Sequence, residues 1–510
     1  MKRREFLGSA TGIGMALAYP ASGASRLAPS QVPTDLVDLS ASQLSAAIRL
    51  RQVSCAEVMR AYLAHIHRHN PIYNAIVSMA EDDTLIAAAE RADEALARGN
   101  YAGWMHGMPH AVKDLADVAG FPTSQGSPIH AGTMPETDRL MIGRIRQAGA
   151  IFIGKTNVPE FGMGSQSYNP VFGATGSAYD PALTAGGSSG GAASGLGTHM
   201  LPVADGSDLM GSLRNPGAFN NVIGFRPTQG RVPGSGNGDL FYQQMSTGGP
   251  LGRNTEDTIR LLHTLAGPDP RQPLTLRDEL QPFDRFRARD LQGLKIGWMG
   301  SYGGYLEMES GILELCEASL GTLASAGAVV ELCRPAYDMD RLWRIWLTLR
   351  HWTRHGTMDL YEDPETRRLL KPEAIWEIEG SLDASAADIY EAGVARADWF
   401  RTLHGLFDQY DVLALPTAQV FPFSKETHWP ESINGVAMDT YHRWMEVVIG
   451  GTLAGLPVVN VPVGFDERGR PMGMQLMGPF GEDQSVLEVA MAYEQVTDHL
   501  ERRPELVAAP

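Results

Sequence analysis

Three short polar segments contain residue types that can transfer protons or stabilise a negatively charged oxygen. They read HAVKD at 110–114, GGSSGG at 186–191 and DGSDLMGSLRNP at 205–216. Lysine is rare in this chain, and Lys113 ends an apolar run. Because burial disfavours an ammonium ion and lowers its pKa, Lys113 is a candidate general base. A salt bridge from Lys113 to Asp114 or Asp117 is the structural alternative.

The second segment places two adjacent hydroxyls, those of Ser188 and Ser189, between paired glycines. A serine hydroxyl can accept a proton from one neighbour and donate one to another, and glycine allows unusual backbone dihedrals around it. A plain flexible turn is the alternative. Ser189 is also the centre of a G-x-S-x-G pattern, which in α/β-hydrolases directly follows a strand. The residues before Ser189 resemble a loop, so this assignment is disfavoured but stays open.

The third segment can supply backbone donors to a developing oxyanion. The candidate N–H groups belong to Leu209, Met210, Gly211 and Ser212. Asp208 and Arg214 flank these residues with opposite charges and can pair to hold the loop. The alternative is an ordinary turn before a helix that Ser212 caps.

The surrounding pattern predicts the elements that position these segments. Helical periodicity covers most of residues 35–100, where Ser54 and Glu57 form a capping box. From about residue 105, short apolar runs alternate with helical segments and glycine-rich loops. The expected strands lie at 150–154, 200–204, 294–298, 328–333, 412–417 and 456–463. This alternation predicts an α/β fold, one large domain with a mixed β-sheet core covered by helices on both faces.

Taken together, the three segments resemble the signature block of the amidase signature family. The lysine, the GGSSGG motif and the GSDxxGS motif occur in the family's order, and Ser212 follows Ser188 by 24 positions, the family's spacing. The segment GFRPTQGR at 224–231 and the apolar runs at 456–462 and 471–476 also match. The resemblance covers roughly residues 40–500 and is weakest at 300–410.

The resemblance implies a Ser-Ser-Lys triad. Ser212 would be the nucleophile, Ser188 the bridging serine on a cis peptide, and Lys113 the base that acts through Ser188. Ser189 would support the relay by hydrogen bonding. The implied reaction is hydrolysis of a carboxamide to an acid and ammonia or an amine, through an acyl-enzyme and without a metal or cofactor. The signature core would span about 105–235, and a helical covering region about 300–430.

The sequence defines the residues that would contact the substrate less clearly. Four residues lie in segments that approach the site in the family: Gln125, Tyr168, Asn169 and Phe172. Met210 stands where the family usually has glycine. Because only its backbone N–H is needed, catalysis can survive if the local dihedrals suit a side chain.

The N-terminus has the pattern of an export signal. Arg3 and Arg4 form a twin-arginine pair, a mildly apolar stretch follows, and small residues at 22–24 suit a cleavage site. Residues 1–24 are therefore predicted to be a signal peptide, and residues 25–510 the amidase domain. The expected location is the periplasm, or outside the cell.

Charge and composition restrict the partners. A net charge of −17 disfavours nucleic-acid binding, and a mean hydropathy of −0.16 disfavours stable membrane insertion. The sequence GAIFIGKT at 149–156 matches a phosphate-binding loop literally, but its apolar centre predicts a buried strand. We expect a small-molecule amide as substrate, and a homodimer stays open.

Three alternatives to this function stay open. An esterase or carbamate hydrolase could use the same triad. An amidotransferase A-type subunit belongs to the same family, although the export signal and acidity disfavour it. The third alternative is the α/β-hydrolase that would use Ser189.

Overall fold

The structure is a computed structural model that describes residues 35–164, 166–234, 239–242 and 244–509. The twin-arginine pair and the predicted cleavage site lie outside these residues. Within the described residues, no helix is long and apolar enough to cross a membrane.

A mixed sheet forms the centre of the fold. In the described part of the chain it has eight strands, in the spatial order β10-β9-β11-β15-β14-β7-β8-β6. The strands are β6 (Val203–Asp208), β7 (Ile223–Arg226), β8 (Thr247–Gly252), β9 (Lys295–Trp298), β10 (Val329–Leu332), β11 (Val412–Pro416), β14 (Val458–Phe465) and β15 (Pro471–Met477). The pairs β10–β9 and β9–β11 are parallel, and the remaining pairs are antiparallel.

A smaller sheet carries the first polar segment. It contains β1 (Ile76–Val77), β2 (Pro109–Lys113) and β3 (Ile151–Thr156), with β2 parallel to β3. The strand β3 contains the GKT of the phosphate-loop pattern, and Lys155 is fully buried on it. The sequence prediction of a buried strand there is confirmed. Two short hairpins complete the strands: β4 (Tyr168–Asn169) with β5 (Gly173–Ala174), and β12 (Ser432–Ile433) with β13 (Val436–Ala437).

Helices flank the main sheet, as the sequence predicts. The helix α15 (Asp483–Val496) contacts both α7 (Thr255–Leu265) and α8 (Ile312–Ser325), and all three contact the sheet. The helices α5 (Gly190–Gly197) and α6 (Arg214–Phe219) contact each other and the sheet. The remaining helices outside the covering region are α1 (Ala41–Arg49), α2 (Cys55–Tyr73), α3 (Asp82–Ala97), α4 (Leu140–Gln147) and α14 (Ile449–Ala454). The predicted capping box of α2 is present, with Ser54 and Glu57 bonded reciprocally.

The helical covering region is narrower than the predicted 300–430. It consists of α9 (Met339–Arg354), α10 (Met358–Glu362), α11 (Pro364–Arg367), α12 (Pro372–Glu379) and α13 (Ala386–Leu406). The residues on either side of it supply β10 and β11 to the main sheet. The same stretch of chain therefore both completes the sheet and provides the helices above it.

Candidate active site

Lys113 lies at the end of β2 and is surrounded by serine oxygens. Its Nζ lies 2.8 Å from the Ser188 hydroxyl oxygen, 2.7 Å from that of Ser189, and 3.1 and 3.2 Å from the hydroxyl and carbonyl oxygens of Ser207. The side chain is almost fully buried. The structure thus brings together the lysine and the serine pair that the sequence singled out.

Burial lowers the pKa of Lys113 to about 7, although the nearby carboxylates of Asp205 and Asp208 act in the opposite direction. The alternative salt bridge to Asp114 is not formed. Asp114 lies 3.7 Å from the Nζ of Lys155 instead. Removal from water, with no carboxylate among its hydrogen-bond partners in the part of the chain that the structure describes, gives Lys113 an amine that can be neutral near pH 7.

Ser188 and Ser189 lie in the loop that leads into α5. The peptide bond between Gly187 and Ser188 is cis, as the resemblance implies. The backbone N–H of Ser189 donates to the carbonyl oxygen of Ser212 at 3.2 Å, which places the second and third segments side by side. Residues 185–189 form no strand, so the elbow required by an α/β-hydrolase is absent there. The alternative that uses Ser189 is therefore wrong.

The loop after β6 contains Ser212 and the predicted oxyanion donors. Among the described residues, the N–H groups of Leu209, Met210 and Ser212 have no hydrogen-bond partner. The N–H of Gly211 does, because it donates to the Asp208 carboxylate at 3.0 Å. Gly211 was predicted as an oxyanion donor, and this contact corrects that assignment. The Ser212 side chain keeps some contact with solvent, since the residue is 8 % exposed.

Met210 fits the loop without backbone strain. Its φ angle is not positive, whereas that of Gly211 is +75°. A Cβ atom at Gly211 would also lie 2.1 Å from the Asn215 side chain. The glycine that this loop requires is therefore Gly211, and position 210 can accept a methionine whose side chain is buried.

Asp208 and Arg214 form the predicted pair, fully buried. The guanidinium donates to both carboxylate oxygens, with Nη2 at 2.8 Å and Nε at 3.0 Å. Arg226 adds a second cation, and its Nη1 lies 3.3 Å from the carboxylate. Burial alone would raise the pKa of Asp208, but the two arginines hold that pKa well below its usual range. The carboxylate also accepts the N–H of Leu213 at 3.1 Å, so it ties both ends of the turn around Ser212.

Two further buried residues position Lys113 and were not predicted. The Asp205 carboxylate accepts a hydrogen bond from the backbone N–H of Lys113 at 3.3 Å and lies 3.0 Å from His110 Nε2. Both side chains are fully buried. Asp205 and His110 stand within the same two polar segments as Lys113 and Asp208, but their pairing requires two strands of different sheets to come together.

The four predicted substrate residues have different surroundings. The Asn169 side chain is buried. It donates to Asn157 and Val158, which follow β3, and it accepts the N–H groups of Val171 and Phe172 in its own loop. These contacts leave its side chain no donor free for a substrate.

Of the other three, Tyr168 reaches the covering region, where its hydroxyl donates to Glu373 on α12. Phe172 lies in the same hairpin as Asn169, and its carbonyl oxygen accepts a bond from Asn74. Gln125 adopts a positive φ of 53°, and its carbonyl oxygen accepts the N–H of Phe161 at 2.8 Å.

Replacing Asp208 tests how much its buried ion pairs contribute to the free energy of unfolding. Asp208→Asn leaves the two arginines without their anion, and we expect a loss of about 3–5 kcal/mol in the free energy of unfolding. Asp398→Asn is the matched control, because Asp398 also contacts two arginines, Arg341 and Arg401, but at the surface. We expect a change there within about 1 kcal/mol. Denaturant unfolding measures both, and equal losses would contradict this account.

Comparisons with known proteins show similarity along most of this chain. The family described as Amidase matches residues 57–487. The chain is 31 % identical to the A subunit of a glutamyl-tRNA(Gln) amidotransferase from Cyanothece sp., over 89 % of this chain and 97 % of that one. It is 29 % identical to an acylamidase from Rhodococcus erythropolis, covering 91 % and 97 %. A solved bacterial aryl acylamidase superposes with a TM-score of 0.85 at 27 % identity, covering 91 % and 99 %. The chain therefore belongs to the amidase signature family.

Proposed function

We propose that this protein hydrolyses carboxamides through Lys113, Ser188 and Ser212, by way of an acyl-enzyme on Ser212. The observation that carries the proposal is the buried amine of Lys113, which lies 2.8 Å from Ser188 and has only serine oxygens as hydrogen-bond partners among the described residues. A lysine in these surroundings is suited to proton transfer rather than to an ion pair.

The proton relay follows from the number of hydrogen-bonding atoms at Lys113. Four serine oxygens surround Nζ, one more than the three N–H groups of an ammonium ion. A neutral amine can donate to the Ser207 carbonyl and a second oxygen, and accept the proton of the Ser188 hydroxyl. Ser188 then takes the proton of Ser212, and Ser212 attacks the amide carbonyl.

The loop at 209–212 supplies the charge stabilisation in this mechanism. The N–H groups of Leu209, Met210 and Ser212 are available for the oxyanion, and the Asp208–Arg214 pair holds the turn that carries them. Ser188 returns the proton to the leaving nitrogen, and water activated by the same relay hydrolyses the acyl-enzyme. The steps use only side chains and backbone groups of this chain.

Covalent labelling tests the nucleophile. A fluorophosphonate should label Ser212 in the wild type, and Ser212→Ala should lose the label together with about 10⁴- to 10⁶-fold in kcat. Ser310→Ala is a control, because Ser310 is exposed and outside the site. Peptide mass spectrometry locates the label. Labelling of Ser189, or full activity of Ser212→Ala on aliphatic, aromatic and amino-acid amides, would overturn the assignment.

The pKa of Lys113 predicts the pH dependence. Because only the neutral amine accepts a proton and its pKa is about 7, kcat/KM should fall about tenfold per pH unit below that value and level off above it. Lys113→Met should abolish this base-dependent activity. Lys295→Met, at an exposed position, should keep the wild-type profile. A flat wild-type profile between about pH 5 and 8 would contradict Lys113 as the base.

The family similarity keeps two other activities in consideration. An esterase or carbamate hydrolase would use the same three residues, and ester and carbamate analogues of each amide separate those activities by kcat/KM. The match to amidotransferase A subunits, at 31 % identity, supports an amide-transferring role as a second candidate. Glutamine hydrolysis that depends on partner proteins would favour it over the free-standing amidase.

We also propose that the protein is exported by its twin-arginine segment. Arg3 and Arg4 precede a mildly apolar stretch and a small-residue cleavage motif. Replacing both arginines with lysine should retain the protein in the cytoplasm and leave the leader attached. Cell fractionation with N-terminal sequencing measures this, and unchanged location would refute the proposal.

A further inference from the structure

A buried polar cluster lies between α12 and the chain leading into β4. We define the α12 cluster by its members, which are Glu160, Gln166, Tyr168, Lys371 and Glu373. Two carboxylates, an amide and an ammonium ion are almost completely removed from water here, and Tyr168 is half-buried. The triad proposed above uses none of them.

The internal contacts of the α12 cluster satisfy only part of its hydrogen-bonding capacity. The backbone N–H of Lys371 donates to the Glu160 carboxylate at 2.9 Å, and the Tyr168 hydroxyl donates to Glu373 Oε1. Lys371 Nζ lies 3.6 Å from that same oxygen and 4.2 Å from the centre of the Tyr168 ring. These contacts are electrostatic, and neither is a hydrogen bond.

Lys371, Glu373 and Gln166 each carry a buried atom that has no hydrogen-bond partner among the described residues. The atom on the lysine is a donor, Nζ, and the other two are acceptors, Glu373 Oε2 and Gln166 Oε1. Glu160 Oε1 also has no partner among these residues, whereas Glu160 Oε2 accepts the backbone N–H of Lys371 at 2.9 Å. Leaving buried polar atoms unpaired costs free energy, so such groups usually have a partner in the working protein. A bound group that offers both a carbonyl oxygen and an N–H would match this set.

The α12 cluster is close to the proposed bridging serine. A methyl group at Gly162 would lie 3.7 Å from the Ser188 hydroxyl oxygen, and one at Gly164 would lie 2.7 Å from Lys371 Nζ. Ser188 and Lys371 therefore both lie against the short segment from Gly162 to Gly164.

Because the α12 cluster is close to Ser188, only one part of the substrate lies near the cluster. In the proposed mechanism Ser188 returns the proton to the leaving nitrogen, so the amine part of the amide must lie beside Ser188. A substituent on that nitrogen is the part of the substrate nearest to the segment from Gly162 to Gly164, against which Lys371 also lies. The acyl part is held instead at Ser212 and the oxyanion loop.

We propose that the α12 cluster binds the amine part of the substrate and selects amides whose leaving amine carries a second carboxamide. Lys371 donates to the carbonyl oxygen of that second group, and Glu373 and Gln166 accept its N–H. The inference rests on the proposed function and adds the substrate class to it.

Three butanoyl amides with different leaving amines test this inference. N-butanoylglycinamide carries the second carboxamide, N-isobutylbutanamide replaces it with hydrocarbon of similar shape, and butanamide has no substituent. Release of butanoate reports only the bond under test. We expect the wild type to prefer the glycinamide over the isobutyl amide by about tenfold to a hundredfold in kcat/KM, the range for hydrogen bonds to charged groups.

Two variants remove parts of the cluster while keeping its shape. Lys371→Met should lose about tenfold to a hundredfold on the glycinamide, mainly through KM, and change the other two amides less than about threefold. Glu373→Gln keeps an acceptor for Tyr168 and should lower the preference for the glycinamide over the isobutyl amide. It replaces Lys371→Met as the test if that variant does not fold. Lys295→Met is the exposed lysine control.

The outcomes separate the two proposals. If butanamide is cleaved and Lys371→Met changes all three amides equally, or none of them, the cluster is structural and this inference is wrong. A wild type with no preference for the glycinamide would also overturn the inference. If the folded wild-type protein cleaves none of the three amides, the proposed function itself is wrong.

Discussion

The removal of the Lys113 amine from water is the constraint on which the rest of the site depends. A buried lysine would normally recruit a carboxylate, and three lie in the surrounding segments. Each already has other partners: Asp114 pairs with Lys155, Asp205 lies against His110 and a backbone N–H, and Asp208 is held by two arginines. Because these acids are engaged elsewhere, burial outweighs their attraction and the pKa of Lys113 falls to about 7.

The same ion pair that occupies Asp208 also connects distant parts of the chain. Arg214 donates to Asp208, and its other N–H groups reach the Val448 carbonyl, Thr452 and Gln475 in the C-terminal part of the main sheet and its neighbouring helix. The turn around Ser212 is therefore fixed both by local contacts and by strands more than two hundred residues away. This connection explains why the short signature segments need the whole α/β domain.

Features set by neighbouring residues were predictable from the sequence, whereas features set by distant partners were not. Local spacing and residue type predict three such features. They are the capping box at Ser54, the buried strand β3 whose sequence matches a phosphate-binding loop, and the pairing of Asp208 with Arg214. The partner of Asp205 could not be predicted, because His110 meets it only after two sheets pack together. The N–H of Gly211 is adjacent to Ser212 in sequence, but the fold directs it to the Asp208 carboxylate.

The α12 cluster combines residues of the signature core with residues of the covering region. The proposed triad of Lys113, Ser188 and Ser212 lies wholly within the signature core. Tyr168 was predicted as a substrate wall from the core alone, yet its hydroxyl bonds to Glu373 of α12. The covering helices thus complete a surface that the core begins. Under the two proposals, changes on α12 would alter which amine is accepted and leave the proposed proton relay in place.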